Sequence, residues 1–477
     1  MARLRRDRPA LVFMALLLLG ALLFAGVLLA LLFTRGGRNA APTSTATSAT
    51  SAPGTTAPPP STTSIAPPAT TAPPATGPLQ AVSVGPLSAV VTWTAPNPPA
   101  RVAYGLPDLG PTMWAPITGG QATLTGLRFG TTYRVWAGDT TFDVTTTSPP
   151  YSPTAAIGGG AILLDGQPYF PLLVLAQCPT GYENSLVAGI TLYAENPCGG
   201  IAAQTEALAG RAFSLTSADE AGIGGTGVIG WYYPDEADLK ELRGATLPQF
   251  PTLAATGRLR VLTLSNHFYS GAAPLPAGRG VYPGLIARAD VVGFDLYPLQ
   301  EFCAAARLPD VAAAQRELVR LAGQRPTFQW IEASTWKCGR AGLQVTPATV
   351  RAESWLAVAG GAHGLGFFPA DWDPAVTPAV AQVAKEVAAL GAALVAPDST
   401  ASASAPVVAS ARILNGALYV IAVNPTRSPV HATISAPGLA GRTLAVVGEG
   451  RSVASSGDSF GDGFAPLAAH VYVAAPS

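Results

Sequence analysis

Apolar, strand-like runs alternate with helix-like stretches eight times between residues 158 and 395, and this alternation restricts the fold more than any other feature of the chain. The runs are YFPLLVLAQ, GITLYAEN, RAFSLTSA, GVIGWYYPDEAD, LRVLTLSNHF, ADVVGFDLYP, PTFQWIEAS and GLGFFPADW, and a predicted hairpin, AILLDGQP, precedes them. Helical spacing, with caps at Asp310 and Thr346, follows the sixth and seventh runs. Eight β-α units predict a closed (β/α)8 TIM barrel, which we assign to residues 151–397.

Polar and aromatic side chains collect where the predicted strands end. The active site of such a barrel lies at the carboxyl ends of its strands. The candidates at or near those ends are Glu236 and Glu332 as catalytic residues, and Asp235, Tyr232, Asn266, His267, Asp295, Tyr297, Trp330 and Trp372 as substrate-binding residues. The aromatic residues among them can stack on a flat face of a substrate, although such residues also pack in cores.

The two glutamates have the chemistry for glycoside hydrolysis, which uses one carboxyl group as proton donor and another as nucleophile or base. Glu236 ends the fourth strand and Glu332 the seventh, so both can face the mouth of the barrel. Each has a structural alternative. Glu236 can open the next helix, where acids are favourable, and Glu332 follows an apolar run in which a carboxylate needs a partner or solvent. Asp295 can instead bond neighbouring backbone, and His267 can be an ordinary rim residue.

The order of these motifs resembles glycoside hydrolase clan A. LDGQPYFP resembles the segment that leads into many of these barrels, GWYYPDEAD a variant of the fourth strand, DVVGFDLYP the sixth, and QWIEA the nucleophile strand. The resemblance implies that Glu236 is the acid/base, that Glu332 is the nucleophile, and that Tyr297 touches Glu332 to hold it ionised. Asp235 stands where the family often has asparagine, and no early arginine matches the family. Asp235 is either an alternative proton donor or a neighbour that raises the pKa of Glu236 by repulsion.

The N-terminal 40 residues contain an apolar run from Leu11 to Phe33. A membrane-spanning helix needs about 20 such residues, and the arginines before the run favour a cytoplasmic N-terminus. We predict a single-pass anchor at 1–40 that holds the rest of the chain outside the cell membrane; a cleaved signal peptide is the alternative. Residues 41–78, almost entirely Thr, Ser, Ala and Pro, predict a disordered linker, either O-glycosylated or unmodified.

Two β-rich segments flank the barrel. Residues 79–150 predict a β-sandwich of short alternating strands. Trp93 in VTWTAP, with Leu127 and Tyr133 in LTGLRFGTTYRVWA, resembles a fibronectin type III module and its tyrosine corner, in a segment that is short for the family. The resemblance implies a spacer, with sugar or wall binding as the alternative. Residues 398–477 predict a C-terminal antiparallel β-sandwich.

Four cysteines suggest two disulfides in an exported protein, and three pairings are possible. We favour Cys178–Cys198 and Cys303–Cys338, because each pair follows neighbouring strands. A formal net charge of zero with 12% charged residues argues against nucleic-acid binding. The histidine and cysteine spacings match no zinc site, and no nucleotide-binding motif is present, so we predict no metal and no cofactor.

Together these features predict a membrane-anchored, extracytoplasmic glycoside hydrolase of the retaining type that acts on a polysaccharide or oligosaccharide. Its predicted partners are a carbohydrate and, through the N-terminal helix, the membrane. The retaining mechanism requires the carboxyl groups of Glu236 and Glu332 to lie about 5–5.5 Å apart. The alternative is a catalytically inactive protein that binds glycans or scaffolds the envelope.

Overall fold

The computed structural model describes residues 77–148, 151–217, 220 and 225–477. The predicted membrane anchor at 1–40 and nearly all of the predicted linker at 41–78 lie outside this part of the chain. The anchor and the location at the cell membrane therefore stay predictions.

The first described domain has seven strands in two antiparallel sheets. The strands are β1 (Leu79–Val84), β2 (Ala89–Trp93), β3 (Arg101–Gly105), β4 (Met113–Pro116), β5 (Gln121–Leu124), β6 (Thr132–Ala137) and β7 (Thr140–Thr145). One sheet has the order β1-β2-β5 and the other β4-β3-β6-β7. The Tyr133 hydroxyl accepts a hydrogen bond from the Arg128 backbone N–H at 2.9 Å, so this tyrosine bonds back to the chain. That the domain is a fibronectin type III module stays a prediction.

A small antiparallel sheet leads into the barrel and includes the predicted hairpin. It consists of β8 (Ala155–Gly158), β9 (Ala161–Leu164) and β10 (Gln167–Tyr169). Asp165 and Gly166 form the turn between β9 and β10 with φ of 49° and 75°. Two consecutive positive φ angles match the right-handed twist of the paired strands, which is why an Asp-Gly pair is found there.

The barrel is closed and all of its strands are parallel. Its strands are β11 (Leu172–Leu175), β12 (Leu192–Ala194), β13 (Phe213–Thr216), β14 (Val228–Tyr232), β15 (Leu259–Leu264), β16 (Val291–Asp295), β17 (Thr327–Glu332) and β18 (Leu365–Phe368). Neighbours along the chain pair in parallel, and β11 closes the ring against β18. Each strand lies within the run predicted for it, so the TIM barrel is confirmed.

Large and small side chains interlock inside the barrel. Trp330 and Phe328 of β17 are 0% and 1% exposed. A Cβ atom on Gly366 would lie 2.2 Å from the Trp330 ring, and one on Gly293 would lie 2.2 Å from the Phe328 ring. Only glycine on β16 and β18 leaves room for these rings, because a packed interior does not yield by that distance.

Eight helices are described around the barrel: α1 (Pro179–Val187), α2 (Gly200–Leu208), α3 (Ala237–Leu242), α4 (Leu253–Thr256), α5 (Tyr282–Ile286), α6 (Leu308–Ala322), α7 (Pro347–Ala359) and α8 (Thr377–Leu390). Thr346 caps α7 as predicted and forms a capping box with Thr349. The predicted cap at Asp310 was wrong: α6 begins earlier, with Pro309 in its first turn, and Asp310 lies inside that turn.

Within the described residues, one helical stretch, Thr377–Val395, is long and apolar enough to cross a membrane by length and composition, with a mean hydropathy of 1.3. However, 72% of its apolar window is buried. It contacts α7 and belongs to the core of the barrel domain.

The C-terminal part of the chain, which follows the barrel, has two antiparallel sheets. Its strands are β19 (Asp398–Ser399), β20 (Ser402–Ala403), β21 (Val408–Leu414), β22 (Ala417–Val423), β23 (Val430–Ser435), β24 (Thr443–Val446), β25 (Arg451–Ala454), β26 (Ser459–Phe464) and β27 (Ala469–Ala474). The sheet orders are β19-β21-β22-β27-β24-β25 and β20-β23-β26. Sheet residues Tyr419, Ile421 and Val471 share the apolar core of the barrel helices, so the first sheet packs on the barrel.

The N-terminal sandwich is also fixed to the barrel by specific bonds. The Tyr133 hydroxyl donates to the Ala388 carbonyl of α8 at 3.2 Å, and the Arg128 guanidinium donates to the Gly189 carbonyl at 2.9 Å. Carbonyls near helix ends accept such bonds readily.

Candidate active site

Acidic side chains from separate strand ends meet at the mouth of the barrel. Glu195 follows β12, Asp235 and Glu236 follow β14, Asp295 ends β16, and Glu301 lies in the loop after β16. The charges of Asp235, Glu236 and Glu301 all act on Asp295, and that of Asp235 acts on Glu195. The structure therefore brings together three of the predicted residues, Asp235, Glu236 and Asp295.

A chain of hydrogen bonds runs under the mouth and ends on Asp235. The Trp330 indole N–H donates to the Thr263 hydroxyl at 2.9 Å, and that hydroxyl lies 2.6 Å from the Tyr232 hydroxyl. Tyr232 donates to Asp235 Oδ1 at 3.0 Å. Because the indole can only donate, Thr263 accepts its hydrogen bond and can donate its own proton to the Tyr232 hydroxyl. Every bond of the chain then points toward Asp235. Burial raises the pKa of Asp235, and the Tyr232 hydrogen bond opposes that rise by favouring the charged form.

Asp295 is the most buried acid of the group, at 4% exposure. The Tyr297 hydroxyl donates to its Oδ1 atom. Burial raises the pKa of Asp295 well above its usual range, the charge of Asp235 raises it further, and the Tyr297 hydrogen bond opposes the rise. The negative charge of Asp235 therefore disfavours ionisation of the more buried Asp295.

Glu236 is half-buried and stands at the N-terminal boundary of α3, with φ of 48°. Glu236 therefore opens α3, as its structural alternative expects, although its side chain makes no capping hydrogen bond. Burial raises its pKa to about 7, and the charges of Asp235 and Asp238 add to the rise. A carboxyl group that titrates near neutral pH can act as a general acid there.

Glu332 is placed differently from what the resemblance implies. Its carboxylate is 0% exposed and accepts backbone N–H groups of Leu299 at 2.9 Å and Gln300 at 2.8 Å. The buried carboxyl of Glu353 on α7 lies beside it. Burial raises the pKa of Glu332 to about 7, while the two N–H groups favour its charged form. The predicted contact of Tyr297 with Glu332 is not formed, because Tyr297 donates to Asp295. The catalytic role of Glu332 stays a prediction.

Asn266 and His267 occupy the rim. The Asn266 amide donates to both oxygens of Glu301, at 2.9 and 3.0 Å. His267 Nδ1 lies 2.7 Å from the Ala273 carbonyl of its own loop. Asn266 thus orients an acid of the mouth, whereas the ring of His267 stabilises its loop.

The aromatic candidates differ in how much surface they present. Trp330 and Tyr232 are 0% and 1% exposed, so their rings lie below the surface that a sugar would touch. Trp372 is half-buried, and its indole N–H lies within hydrogen-bond distance of Gln177 and Ser185, at 3.1 and 3.0 Å. Trp336, which the sequence prediction omitted, is 37% exposed and packs edge-on against Tyr297 with ring centroids 5.1 Å apart.

Both predicted disulfides, Cys178–Cys198 and Cys303–Cys338, are present. The first joins the loops after β11 and β12, and the second joins those after β16 and β17. Both therefore tie neighbouring loops of the mouth. In the described residues no group of three or more His, Cys, Asp or Glu side chains is arranged to hold a metal ion.

Glu195 and Glu301 are functional candidates that the sequence prediction missed. Glu195 ends the second predicted run, GITLYAEN, so the strand-end rule that selected Asp235 applied to it equally. Glu301 lies farther into a loop, and only the folded loop brings it to Asn266.

The chain resembles solved structures of sugar-acting enzymes at low similarity. A GH30 endoxylanase from Clostridium papyrosolvens has 10% identity and a TM-score of 0.40, covering 68% of this chain and 97% of that one. An Anoxybacillus alpha-amylase has 10% identity and a TM-score of 0.38, covering 64% and 98%. A GH30 subfamily 8 xylanase from Clostridium acetobutylicum has 11% identity and a TM-score of 0.36, covering 64% and 95%. At identities and TM-scores this low, the likeness carries no argument about the function of this chain. No family model matches the chain, and no curated protein matches it.

Proposed function

We propose that this protein is an O-glycosyl hydrolase that cleaves a polysaccharide or oligosaccharide at the mouth of its barrel. The observation that carries the proposal is the meeting of Glu236, Asp235 and Asp295 at that mouth, with pKa values raised by burial and repulsion. Glycoside hydrolysis requires one protonated and one charged carboxyl group in the same site. Glu236, whose pKa is raised to about 7, can supply the protonated group, and Asp235, whose charged form is favoured by the Tyr232 hydrogen bond, can supply the charged one.

In the proposed mechanism Glu236 donates a proton to the leaving oxygen. Its raised pKa, about 7, leaves much of it protonated near neutral pH and most of it protonated below. The Asp235–Asp295 pair supplies the carboxylate that attacks the anomeric carbon, and water then hydrolyses the glycosyl-enzyme intermediate with Glu236 acting as base. Tyr232 and Tyr297 hold this pair by hydrogen bonds to Asp235 and Asp295.

This assignment moves the second carboxyl group from Glu332 to the Asp235–Asp295 pair. The Glu332 side chain is 0% exposed and its two oxygens accept backbone N–H groups, so no face of its carboxylate is open to a sugar in this structure. The retaining outcome remains part of the proposal. It is tested separately, by the anomeric configuration of the first product in a proton NMR time course.

We also propose that the barrel works outside the cell membrane, tethered by the apolar segment at Leu11 to Phe33 and by the Pro-rich linker. The presence of two disulfides at the mouth supports an oxidising compartment. The N-terminal domain is proposed as a fibronectin type III module that acts as a spacer, and its seven strands in two sheets support this.

The test is hydrolysis of aryl glycosides of varied sugar and anomer by the purified full-length chain. Glu236→Gln should lower kcat/KM by about 10²–10⁴-fold for poor leaving groups, and by much less for dinitrophenyl glycosides, which need no proton. Glu206→Gln, an exposed position on α2, is the matched control. Absence of turnover on every sugar, or equal rates in the two variants, would end the proposal.

A second candidate function is glycan binding without catalysis. The burial of Glu332, the residue that matches the nucleophile strand of clan A, is the specific observation that favours it. A wild-type chain that binds oligosaccharides but hydrolyses none of the panel would establish this alternative.

A further inference from the structure

A cavity of about 490 Å³ opens beside the proposed catalytic residues, between the ends of β12, β13 and β14. Glu195, Asn196, Ser217, Glu220 and Tyr232 are among the residues that line it. Its volume lies within the range of small-molecule sites, about 300–1,000 Å³. Because Tyr232 also bonds Asp235, a sugar unit in the cavity would adjoin the acids of the mouth.

The polar wall of the cavity is held rigidly. The Glu220 carboxylate accepts the Ile201 N–H at 2.9 Å and a hydrogen bond from the Asn196 amide. Asn196 in turn accepts the Ser217 N–H at 3.2 Å. The carboxylate and amide are therefore fixed in position before any ligand binds, which reduces the entropy lost on binding.

The described charged side chains that line the cavity are all acidic. Glu195 and Glu220 are acidic, and no described residue that lines the cavity is basic. Burial raises the pKa of Glu195, the Asp235 charge raises it further, and the backbone N–H of Asp235 and the charge of Lys240 oppose the rise. A cationic group in the cavity would be attracted by the carboxylates of Glu195 and Glu220, whereas an anionic group would be repelled by them.

We propose that this cavity is a subsite for a sugar unit that carries a free amino group, and that it rejects uronic acids. The inference rests on the proposed function and names the substrate class of the same site. An ammonium group has three donors, which suits the carboxylates of Glu195 and Glu220. A neutral N-acetylated sugar carries no positive charge that these carboxylates could attract.

Two probe families test the proposal on the full-length chain. Aryl glycosides of glucosamine, glucose and glucuronic acid, and the matching galacto series, are compared in both anomeric forms. Oligosaccharides of free and N-acetylated glucosamine are compared by calorimetry. A hydrogen bond to a charged partner is worth about a 10- to 100-fold change in affinity. We therefore expect free-amine sugars to be preferred over neutral ones by at least about tenfold at low salt, with the preference falling as salt rises.

Glu195→Gln should reduce this amine preference about tenfold, because it removes one charged acceptor while keeping the side-chain size. Glu206→Gln on α2 is the control that should leave the preference unchanged. Uronides that bind or react as well as amino sugars would overturn the inference, as would equal preferences in Glu195→Gln and the wild type.

The outcomes separate the two proposals. Salt-sensitive binding of free-amine oligosaccharides without hydrolysis would support the subsite and refute the hydrolase. Hydrolysis of neutral glycosides with no amine preference would support the hydrolase and refute the subsite.

Discussion

Glu332 fixes the loop after β16, and replacing it should loosen that loop specifically. Its two carboxylate oxygens accept the N–H groups of Leu299 and Gln300. The Gln300 side chain then accepts backbone N–H groups of the loop after β17, those of Trp336, Lys337 and Cys338, at 2.9–3.0 Å. Through these bonds one carboxylate helps to position both loops that carry Tyr297, Glu301 and Trp336 to the mouth.

The loss of local stability expected for Glu332→Gln follows from these contacts. Hydrogen bonds to a charged group contribute about 1.5–3 kcal/mol each, and a buried N–H without an acceptor costs about 1–3 kcal/mol. Glutamine keeps one acceptor and turns an amide donor toward the second N–H. Removing a charge beside the buried Glu353 recovers part of the loss. We expect a net loss of about 2–3 kcal/mol in local stability, which corresponds to a roughly 30- to 150-fold faster amide exchange.

The assay is hydrogen exchange followed by mass spectrometry at pH 8, where Glu332, with a pKa raised to about 7, is ionised. Peptides spanning 296–302 should exchange faster in Glu332→Gln, while peptides of the C-terminal sandwich should not change. Glu206→Gln provides the control for a Glu-to-Gln change at an exposed site. Exchange at 296–302 within about threefold of the wild type would show that the carboxylate does not hold the loop.

Two further predictions follow from the buried acids and the disulfide. Glu353, Asp295 and Glu236 have pKa values that are raised in the folded state. As pH rises, these groups lose their protons first in the unfolded chain, which favours unfolding. Their contribution to the free energy of unfolding should therefore be greatest below about pH 4.5 and fall as pH rises toward 7 and above. Thermal unfolding should show a drop in Tm from pH 5 to pH 8 that is smaller in Glu353→Gln, and an identical drop would contradict the assignment. The Cys303–Cys338 disulfide closes a separation of 35 residues, and removing it should cost about 4 kcal/mol of stability through chain entropy. The double serine variant should therefore unfold at a lower denaturant concentration and lose hydrolytic activity, because the two loops that it ties carry Tyr297, Glu301 and Trp336. Full activity in this variant would show that hydrolysis does not depend on the position of these loops.

Much of the architecture could be predicted from the sequence because its signals are local. A buried parallel strand is a short apolar run, and all eight runs, including GITLYAEN and RAFSLTSA, became strands of the barrel. The order of strands around a barrel follows the order along the chain, so the neighbours of each loop were also fixed. That is why the pairings Cys178–Cys198 and Cys303–Cys338 could be chosen among three alternatives.

The individual site contacts were harder to predict. The sequence placed Glu236 and Glu332 at strand ends alike. In the structure Glu236 follows β14 and has a half-buried carboxyl group at the mouth, whereas Glu332 ends β17 and its carboxylate accepts backbone N–H groups. The difference comes from the loop after β16, whose path back over β17 is not encoded by any short motif. Tyr297 likewise stands two residues from Asp295 and bonds it, although the family resemblance implied Glu332 as its partner.

The sequence by itself determined which segments became strands of the barrel, their order around it, the disulfide partners, and the position of Asp235, Glu236 and Asp295 near the mouth, since periodicity and chain order are properties of nearby residues. Only the tertiary structure decided which of those acids act on each other electrostatically, which are buried, and which are already bound by backbone groups. Desolvation and hydrogen bonding depend on atoms that arrive from distant parts of the chain, and a carboxylate acquires its pKa and its availability only when those atoms surround it.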